Sequence, residues 1–475
     1  MKQAVLERFE IEKDRLYFEA NVMGRLFSTS IWYKNVDFNE LEKQMGRSAL
    51  ERIVAHIAAF EMNKYGSLQL DRIDLGELKK YVDDNLVDLW SNVFQHVWAQ
   101  WRYENNLPNE RPPKLIASST KSNKPYQYKT KSDKSLVFFG GGKDSFVSSS
   151  VLQNAGIPFD ILEYSNSIYG NRAEQSDVEI LAQESSPKSR INEIAVYDDF
   201  LDSPILEYDG KEYKIHSLTA AETPASVFEC IPILLQSGYR ALVLGHEKSA
   251  NFPNLIWKKE NNTPINHQWG KSLEAQKMIA SYIRENLVSN VQYFSTLMPL
   301  SDPAIFTIFS TLSWELIAKA HSCNITKPWC RRCAKCVYVW LFYLAFLDEG
   351  KVTNEIFNDE NLFDIEENHN ILRMLVGLDS QTPFECVGQP PESRLAIALC
   401  YQKGFRQPII NEIMNSIDFV ELENTVNTQF TIDTAFLDEC ELPPKLHDYY
   451  LNSVAPLLES TKKQLIKKLN SLKYK

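Results

Sequence analysis

Nowhere among the 475 residues do about 18 uncharged apolar residues run together, the length a helix needs to cross a bilayer. The sequence therefore reads as one that does not span a membrane. Cysteine is scarce too, and eight in this length cannot build a disulfide scaffold. Positive charge is in deficit, with 51 Lys and Arg against 62 Asp and Glu and a net charge of −11. That balance argues against a chain whose main work is gripping the phosphate backbone of a nucleic acid. The stretch from Met1 to Glu10 is charged throughout and lacks the apolar core and small-residue cleavage site of a secretory signal. A cytoplasmic, reducing setting is the expectation.

What the chain does have is enough apolar material for two or three packed units, 44% hydrophobic and 12% aromatic. Residues 9–36 alternate polar and apolar, the period of half-buried antiparallel strands. Helical spacing follows from Ala49 to Tyr65 and from Gly76 to Arg102. Residues 1–104 thus read as a small α+β unit, and residues 105–134, rich in Pro, Ser, Lys and Asn, as a linker. Strand Ser135–Phe139, helix Asp144–Ala155, strands Phe159–Tyr164 and Glu193–Tyr197, helix Pro224–Gln236 and strand Ala241–Leu244 then alternate as in a parallel sheet covered by helices. The expectation is an α/β, Rossmann-like unit over 135–322. A cysteine knuckle and apolar helix at 323–347 and a helical region at 348–475 follow it. The Lys-rich end carries Leu465, Leu469 and Leu472 on one face, which predicts a helix packed on the body.

The first chemical signal is a loop. Val137-Phe138-Phe139 runs at once into Gly140, Gly141 and Gly142, and Lys143, Asp144 and Ser145 open the next helix. Such a turn leaves backbone N–H groups bare, and glycine lets an anion approach because no Cβ obstructs it. The positive end of the helix adds to the attraction. The spacing is neither a Walker A loop nor G-x-G-x-x-G. A plain glycine turn is the bland alternative, and the Lys-Asp-Ser ending with the elements downstream favours a nucleotide. The order strand, Gly-Gly-x-Asp-Ser, helix resembles the PP-loop ATP pyrophosphatases, whose usual pattern has Ser where this chain has Gly140. The resemblance implies ATP cleaved to AMP and pyrophosphate on Gly140–Ser145, with Mg²⁺ screening the charge.

The second signal is Cys323-x6-Cys330-x2-Cys333-x2-Cys336, four thiols spaced to close a tetrahedral Zn²⁺ site. Lys327, Arg331, Arg332 and Lys335 surround them and would offset the charge of a zinc tetrathiolate. Four ligands leave no open position, so the role is structural; an iron–sulfur cluster is the competing reading. A similar knuckle follows the nucleotide domain of 7-cyano-7-deazaguanine synthase, a PP-loop enzyme. Chemistry on a deazapurine or nucleic-acid base is accordingly the alternative function. Cys230, Cys400 and Cys440, in apolar or acidic surroundings, read as ordinary thiols.

Three further stretches carry polar groups: His246-Glu247-Lys248-Ser249-Ala250-Asn251 after a strand, Asn266-His267-Gln268-Trp269-Gly270-Lys271 before a helix, and Phe384-Glu385-Cys386-Val387-Gly388. With the glycine loop and the knuckle, they resemble the motifs of the UDP-N-acetylmuramoyl-L-alanyl-L-glutamate epimerase family over roughly residues 135–400. That family carries Asn-Glu-Arg-Ser-Ala-Asn where this chain has His246 to Asn251, and Ser where Gly270 stands. The Arg-to-Lys exchange at Lys248 gives up a bidentate fork.

The resemblance implies a small, nucleotide-linked substrate and an activity in peptidoglycan-precursor synthesis. A glutamate carboxylate is adenylated, the adjacent Cα–H is acidified, a base removes it and a proton returns from the opposite face. Candidate bases are His267, Cys386 and Glu247, in that order, since His267 titrates near neutrality and Cys386 needs a cation such as Lys271 beside it. Lys248 and Lys271 read as clamps for substrate or phosphate. Ser249, Asn251, Asn266, Gln268 and Glu385 are the expected substrate contacts. A ligase or amidotransferase outcome from the same adenylate stays open, because activation chemistry does not fix the nucleophile.

Overall fold

The computed structural model describes residues 2–118, 124–166, 175–200, 203, 222–323 and 325–472. Twelve strands occur among them: β1 Gln3–Ile11, β2 Arg15–Val22, β3 Arg25–Lys34, β4 Arg72–Asp74, β5 Lys114–Leu115, β6 Ser135–Phe138, β7 Phe159–Ser165, β8 Ile191–Asp198, β9 Ala241–Leu244, β10 Leu255–Trp257, β11 Thr263–Ile265 and β12 Gln292–Ser295. Ten of them form one sheet in the order β12-β9-β6-β7-β8-β3-β2-β1-β4-β5, and β10 pairs with β11 as a separate hairpin. From β12 to β8 the pairing is parallel. β8, β3, β2 and β1 then pair antiparallel, and β4 and β5 close that side in parallel.

The two kinds of strand show their burial in their sequences. In β2, buried Leu16, Phe18, Ala20 and Val22 alternate with half-buried Arg15, Tyr17, Glu19 and Asn21, so only one face is fully covered. In β6 and β9 the apolar residues run without a break, because helices lie on both faces. Leu136 and Leu242 point into a core shared with the helices Arg47–Glu61 and Asp84–Val97. Their neighbours Val137 and Val243 point into the other, shared with the helices Asp302–Phe309, Ala334–Phe346 and Pro390–Gln402. N-terminal helices thus cover one side of β6 and β9, and the helical C-terminal region covers the other.

The α/β class and the largely parallel sheet agree with the pattern in the sequence, while details differ for local reasons. The sheet runs unbroken from residues 3–34 into β8 through the pairs Thr29↔Asp198 to Lys34↔Glu193. Residues 105–134 supply β5, and Tyr126 bridges Val288; positions 119–123 of that stretch lie outside the described residues. The single helix expected over Pro224–Gln236 is two, Glu222–Glu229 and Ile231–Ser237. Pro232 explains the break, since its ring cannot follow a helical carbonyl four residues back. Asp83 accepts the Leu86 N–H and starts the helix Asp84–Val97, so the expected helix from Gly76 begins later. At the C-terminus the helix Ala455–Asn470 buries Leu458, Leu465 and Leu469. Among the described residues no helix is long and apolar enough to cross a membrane.

β6 anchors everything that follows, and Leu136 on it is fully buried. Leu136→Ala is expected to cost about 2–5 kcal/mol, read as a lower urea midpoint with an unchanged slope. A midpoint equal to that of the parent would show that this strand does not lie in the core.

Candidate active site

β6 ends at Phe138, and the loop turns over Gly140 to Gly142 into the helix Lys143–Asn154. Gly141 is conformationally required, and Gly142 is crowded. Gly141 has φ +75°, and a Cβ there would lie 3.2 Å from His321 Cε1; one on Gly142 would come within 2.8 Å of Ser322 Oγ. A Cβ at Gly140 would meet open space. The Gly140 N–H donates to Ser145 Oγ at 2.9 Å. The N–H groups of Gly141, Gly142, Lys143 and Asp144 find no acceptor among the described residues. They stand at the positive end of the helix, the arrangement that attracts a phosphate.

The Lys143 side chain turns inward. Its ammonium is buried, 2.6 Å from Asp144 Oδ1 and 2.5 Å from Asp302 Oδ1, over the face of Phe306. Burial alone would lower its pKa, yet the two carboxylates and Glu247 raise it. Tyr338 OH donates to Asp302 Oδ2 at 2.7 Å, and the Asp302 N–H donates to Glu392 Oε1 at 3.2 Å. A Cβ on Gly388 would collide with the Tyr338 hydroxyl, which accounts for the turn glycine there.

Above the loop lies a cavity of about 290 Å³, lined by Gly140, Gly142, Asp144 and Ser145 at its floor. It opens at the carboxyl ends of β6, β7 and β9. Strand order reverses there, with later strands on both sides of β6, which is where open α/β sheets bind their ligands. Gly245 and His246 follow β9, Tyr164 is the last residue but one of β7, and Glu222, Thr223 and Ser226 come from the helix beside it. Lys271, His321, Ser322, Lys327, Lys335 and Cys386 also line it.

Lys271 Nζ lies 2.8 Å from Cys386 Sγ, and Lys335 donates to the Cys386 carbonyl. Burial pushes the Cys386 thiol up, but Lys271 and Lys335 together outweigh it and bring it below the ordinary thiol range.

Lys335 stands between two members of the knuckle. The sulfurs of Cys323, Cys330, Cys333 and Cys336 all lie within 4.8 Å of one another, with Cys323–Cys333 at 4.0 Å and Cys330–Cys336 at 3.7 Å. Tetrahedral zinc with sulfur at about 2.3 Å needs edges of about 3.8 Å, so the four thiols fit such an ion. Backbone N–H groups of Ile325, Thr326 and Cys330 point at Cys323 Sγ, as they do around a thiolate ligand.

Comparison with known proteins gives this geometry its family. The pattern of the MurL N-terminal domain matches residues 17–182 and 226–296, and that of the MurL C-terminal domain matches 317–426. The UDP-N-acetyl-alpha-D-muramoyl-L-alanyl-L-glutamate epimerase of a Micromonospora species is 30% identical over 339 residues, covering 68% of this chain and 70% of that protein. The chain belongs to the MurL epimerase family. The enzyme of the same name from Salinispora tropica is 29% identical over 339 residues, 70% of each chain, and that from Xanthomonas oryzae pv. oryzae is 28% identical over 273, 56% of each. No solved structure matches the chain.

The polar stretches singled out in the sequence split into two groups in space. Gly140, Gly142, Asp144, Ser145, His246, Lys271 and Cys386 converge on the cavity. Several of the others are engaged in holding loops. His267 is absent from the lining; its Nδ1 meets Gln100 Oε1 at 2.7 Å, and burial brings its pKa down to about 4. Asn251 accepts the Leu273 N–H, Asn266 donates to the Ala250 carbonyl and Gln268 to that of Val387. Glu385 lies close enough to His267 to raise its pKa in part. Lys248 lies over the Phe436 ring at 5.1 Å and, with Ser249 and Glu392, borders a smaller cavity of about 210 Å³. Glu247 is buried behind the loop, where burial first, then Asp144 and Asp302, push its carboxyl up to about 7 against Lys271 and Lys143.

Sequence reasoning passed over Tyr164, Glu222 and His321 as cavity residues, and singled out the stretch after β9 without giving His246 itself a role. It also treated Lys335 as a companion of the thiols, whereas Arg331 and Arg332 pair with Glu360 and Lys335 reaches the cavity. Position at a strand's carboxyl end, the signal that drew out the stretch after β9, was available for Tyr164 too.

Lys271→Met is expected to raise the pH at which iodoacetamide half-maximally labels Cys386, followed by mass spectrometry of the peptide that contains it. The sign follows from the lowered thiol pKa: the thiolate persists to lower pH while the ammonium is present. An unchanged labelling profile would show that Lys271 does not govern the thiol.

Proposed function

We propose that the chain is an ATP-dependent epimerase of the terminal glutamate in UDP-N-acetylmuramoyl-L-alanyl-L-glutamate. The observation that carries this reading is the meeting, in one cavity, of the glycine loop with a thiol held next to an ammonium. The names of the relatives agree with it.

In this reading the glutamate α-carboxylate attacks the α-phosphorus of ATP and pyrophosphate leaves. The N–H groups of Gly141, Gly142 and Asp144 and the Ser145 hydroxyl hold the phosphates, and Asp144 is the carboxylate that would hold Mg²⁺. When bound, that ion would screen the triphosphate charge. The acyl adenylate makes the neighbouring Cα–H more acidic, and the Cys386 thiolate removes it. Cys386 takes the base role over His267, because its sulfur lines the cavity and its pKa is lowered, while the His267 ring bonds Gln100 elsewhere. Lys271 keeps the sulfur deprotonated, and Lys335 and Lys327 face the substrate's anionic groups. After reprotonation, water releases AMP.

Residues 135–322 are the nucleotide-binding unit in this reading, with the N-terminal residues as a supporting unit. The knuckle would carry a structural zinc ion that fixes the turn bearing Lys327 against the start of the helix Ala334–Phe346 bearing Lys335. A base that works as a thiolate belongs in a reducing cytoplasm.

The purified chain incubated with ATP, Mg²⁺ and the muramoyl dipeptide nucleotide is expected to release AMP and pyrophosphate and to yield D-glutamate after hydrolysis. ADP as the product would overturn the assignment. Asp144→Ala is expected to abolish AMP formation with little change in the circular dichroism spectrum, and undiminished turnover would remove the loop from the chemistry. Metal analysis should return about one zinc per chain. A brown, iron-containing sample would instead make the knuckle a cluster site.

A further inference from the structure

An epimerase that inverts a carbon must lose a proton from one face and regain it on the other, and the reading above supplies one group only. Glu222 is the first described residue of the helix Glu222–Glu229, and its carboxyl lines the cavity next to Tyr164. Its Oε2 accepts hydrogen bonds from the Asn166 amide and, at 3.5 Å, from Tyr164 OH. It faces Glu61 and Lys64 from the N-terminal helical layer, Tyr164 and Asn166 from the end of β7, and Glu229 on its own helix.

Sheet order sets the two groups on opposite flanks. Tyr164 and Asn166, which hold Glu222, lie at the end of β7 on one side of β6. Lys271, which holds Cys386, stands close enough to His246 to disfavour charge on its ring, and His246 follows β9 on the other side. Across β6, β7 and β9 run about 10 Å apart, two strand spacings. Glu222 and Cys386 thus enter the one cavity from opposite flanks of the loop.

We propose that Glu222 is the acid that returns a proton to the glutamate Cα from the face opposite Cys386. The proposal rests on the adenylation reading given above. In the forward step the Cys386 sulfur forms an S–H bond with the Cα proton, and the C–H electron pair passes into the enolate of the acyl adenylate. That enolate then forms a new C–H bond with the carboxyl proton of Glu222, which becomes carboxylate. Exchange with water reprotonates Glu222 and deprotonates Cys386, so no oxidant or reductant is consumed. The protonation states suit this direction: burial, then Glu61, push the Glu222 carboxyl up to about 8 against Lys64, Tyr164 and Asn166, while the thiol is brought down. Two titratable groups whose surroundings drive them apart in one cavity are the mark of an acid and base pair.

The test is Glu222→Gln in the full chain, with ATP, Mg²⁺ and the muramoyl dipeptide nucleotide in D₂O. Three readouts are taken: exchange of labelled pyrophosphate into ATP, deuterium at Cα of recovered L-glutamate, and formation of D-glutamate. The variant is expected to keep pyrophosphate exchange and to place deuterium in L-glutamate through Cys386, while D-glutamate formation falls by about 100-fold or more. D-glutamate formed within a few-fold of the parent rate overturns the proposal. So does joint loss of all three signals, since a group acting only on the second face leaves the first half-reaction running. Failure of the parent chain itself to exchange pyrophosphate refutes the adenylation reading, and the proposal with it, and is recognisable because it appears without any substitution.

Discussion

A single buried ammonium organises this molecule. Lys143 sits beneath the glycine loop with essentially no access to water, and it is tolerable there because Asp144 and Asp302 both reach it. An isolated buried charge is costly, and removing one partner from such a pair leaves the other stranded. Asp302 belongs to the helix Asp302–Phe309, Tyr338 to the helix Ala334–Phe346 that carries Cys336 of the knuckle, and Glu392 to the helix Pro390–Gln402. Through hydrogen bonds with Asp302 they tie the glycine loop to the helical layer behind it. The loop's conformation and the packing of the C-terminal region are therefore one problem with one solution. The surplus of acid in this spot is managed by protons: burial and neighbouring carboxylates push Glu392 up to about 8 and Glu247 to about 7.

What the sequence disclosed was local. The apolar strand, the three glycines and the helix that opens with Asp144 are contiguous, and their geometry follows from backbone rules that act over a few residues. The four thiols likewise announce themselves by spacing, because a small ion draws its ligands from a short loop. What it concealed was convergence. Thr29 and Asp198 pair although 169 residues separate them, and no alternation within β3 names the strand that will lie beside it. Clustering along the chain also misled in one direction. Asn266, His267 and Gln268 are adjacent and polar, yet each is committed to a protein partner, Ala250, Gln100 and Val387. Glu222 gave no motif at all, since its role depends on Tyr164 and Asn166 meeting it from another strand.

The chemistry of the cavity follows from which side each charge enters. Lysines arrive from the knuckle turn and from Lys271, so one wall favours anions and a thiolate. Carboxyl groups arrive from the helix Glu222–Glu229, where burial and the neighbouring Glu61 of the N-terminal layer push Glu222 and Glu229 up. The first layer of the chain thus bears on the site through electrostatics as well as support, although none of the cavity-lining residues belongs to it.

The continuity of the sheet has a further consequence. β8 is satisfied along its outer edge only because β3 runs antiparallel to it from Lys34 to Thr29. A chain trimmed to begin at the glycine-loop strand would leave that edge bare, with a row of open amides and carbonyls beside buried Ile194 and Val196. Such an edge recruits another strand, and the one nearest to hand would belong to a second trimmed copy. The opening hairpins therefore act as a guard against self-association, which ties their retention to solubility as much as to catalysis.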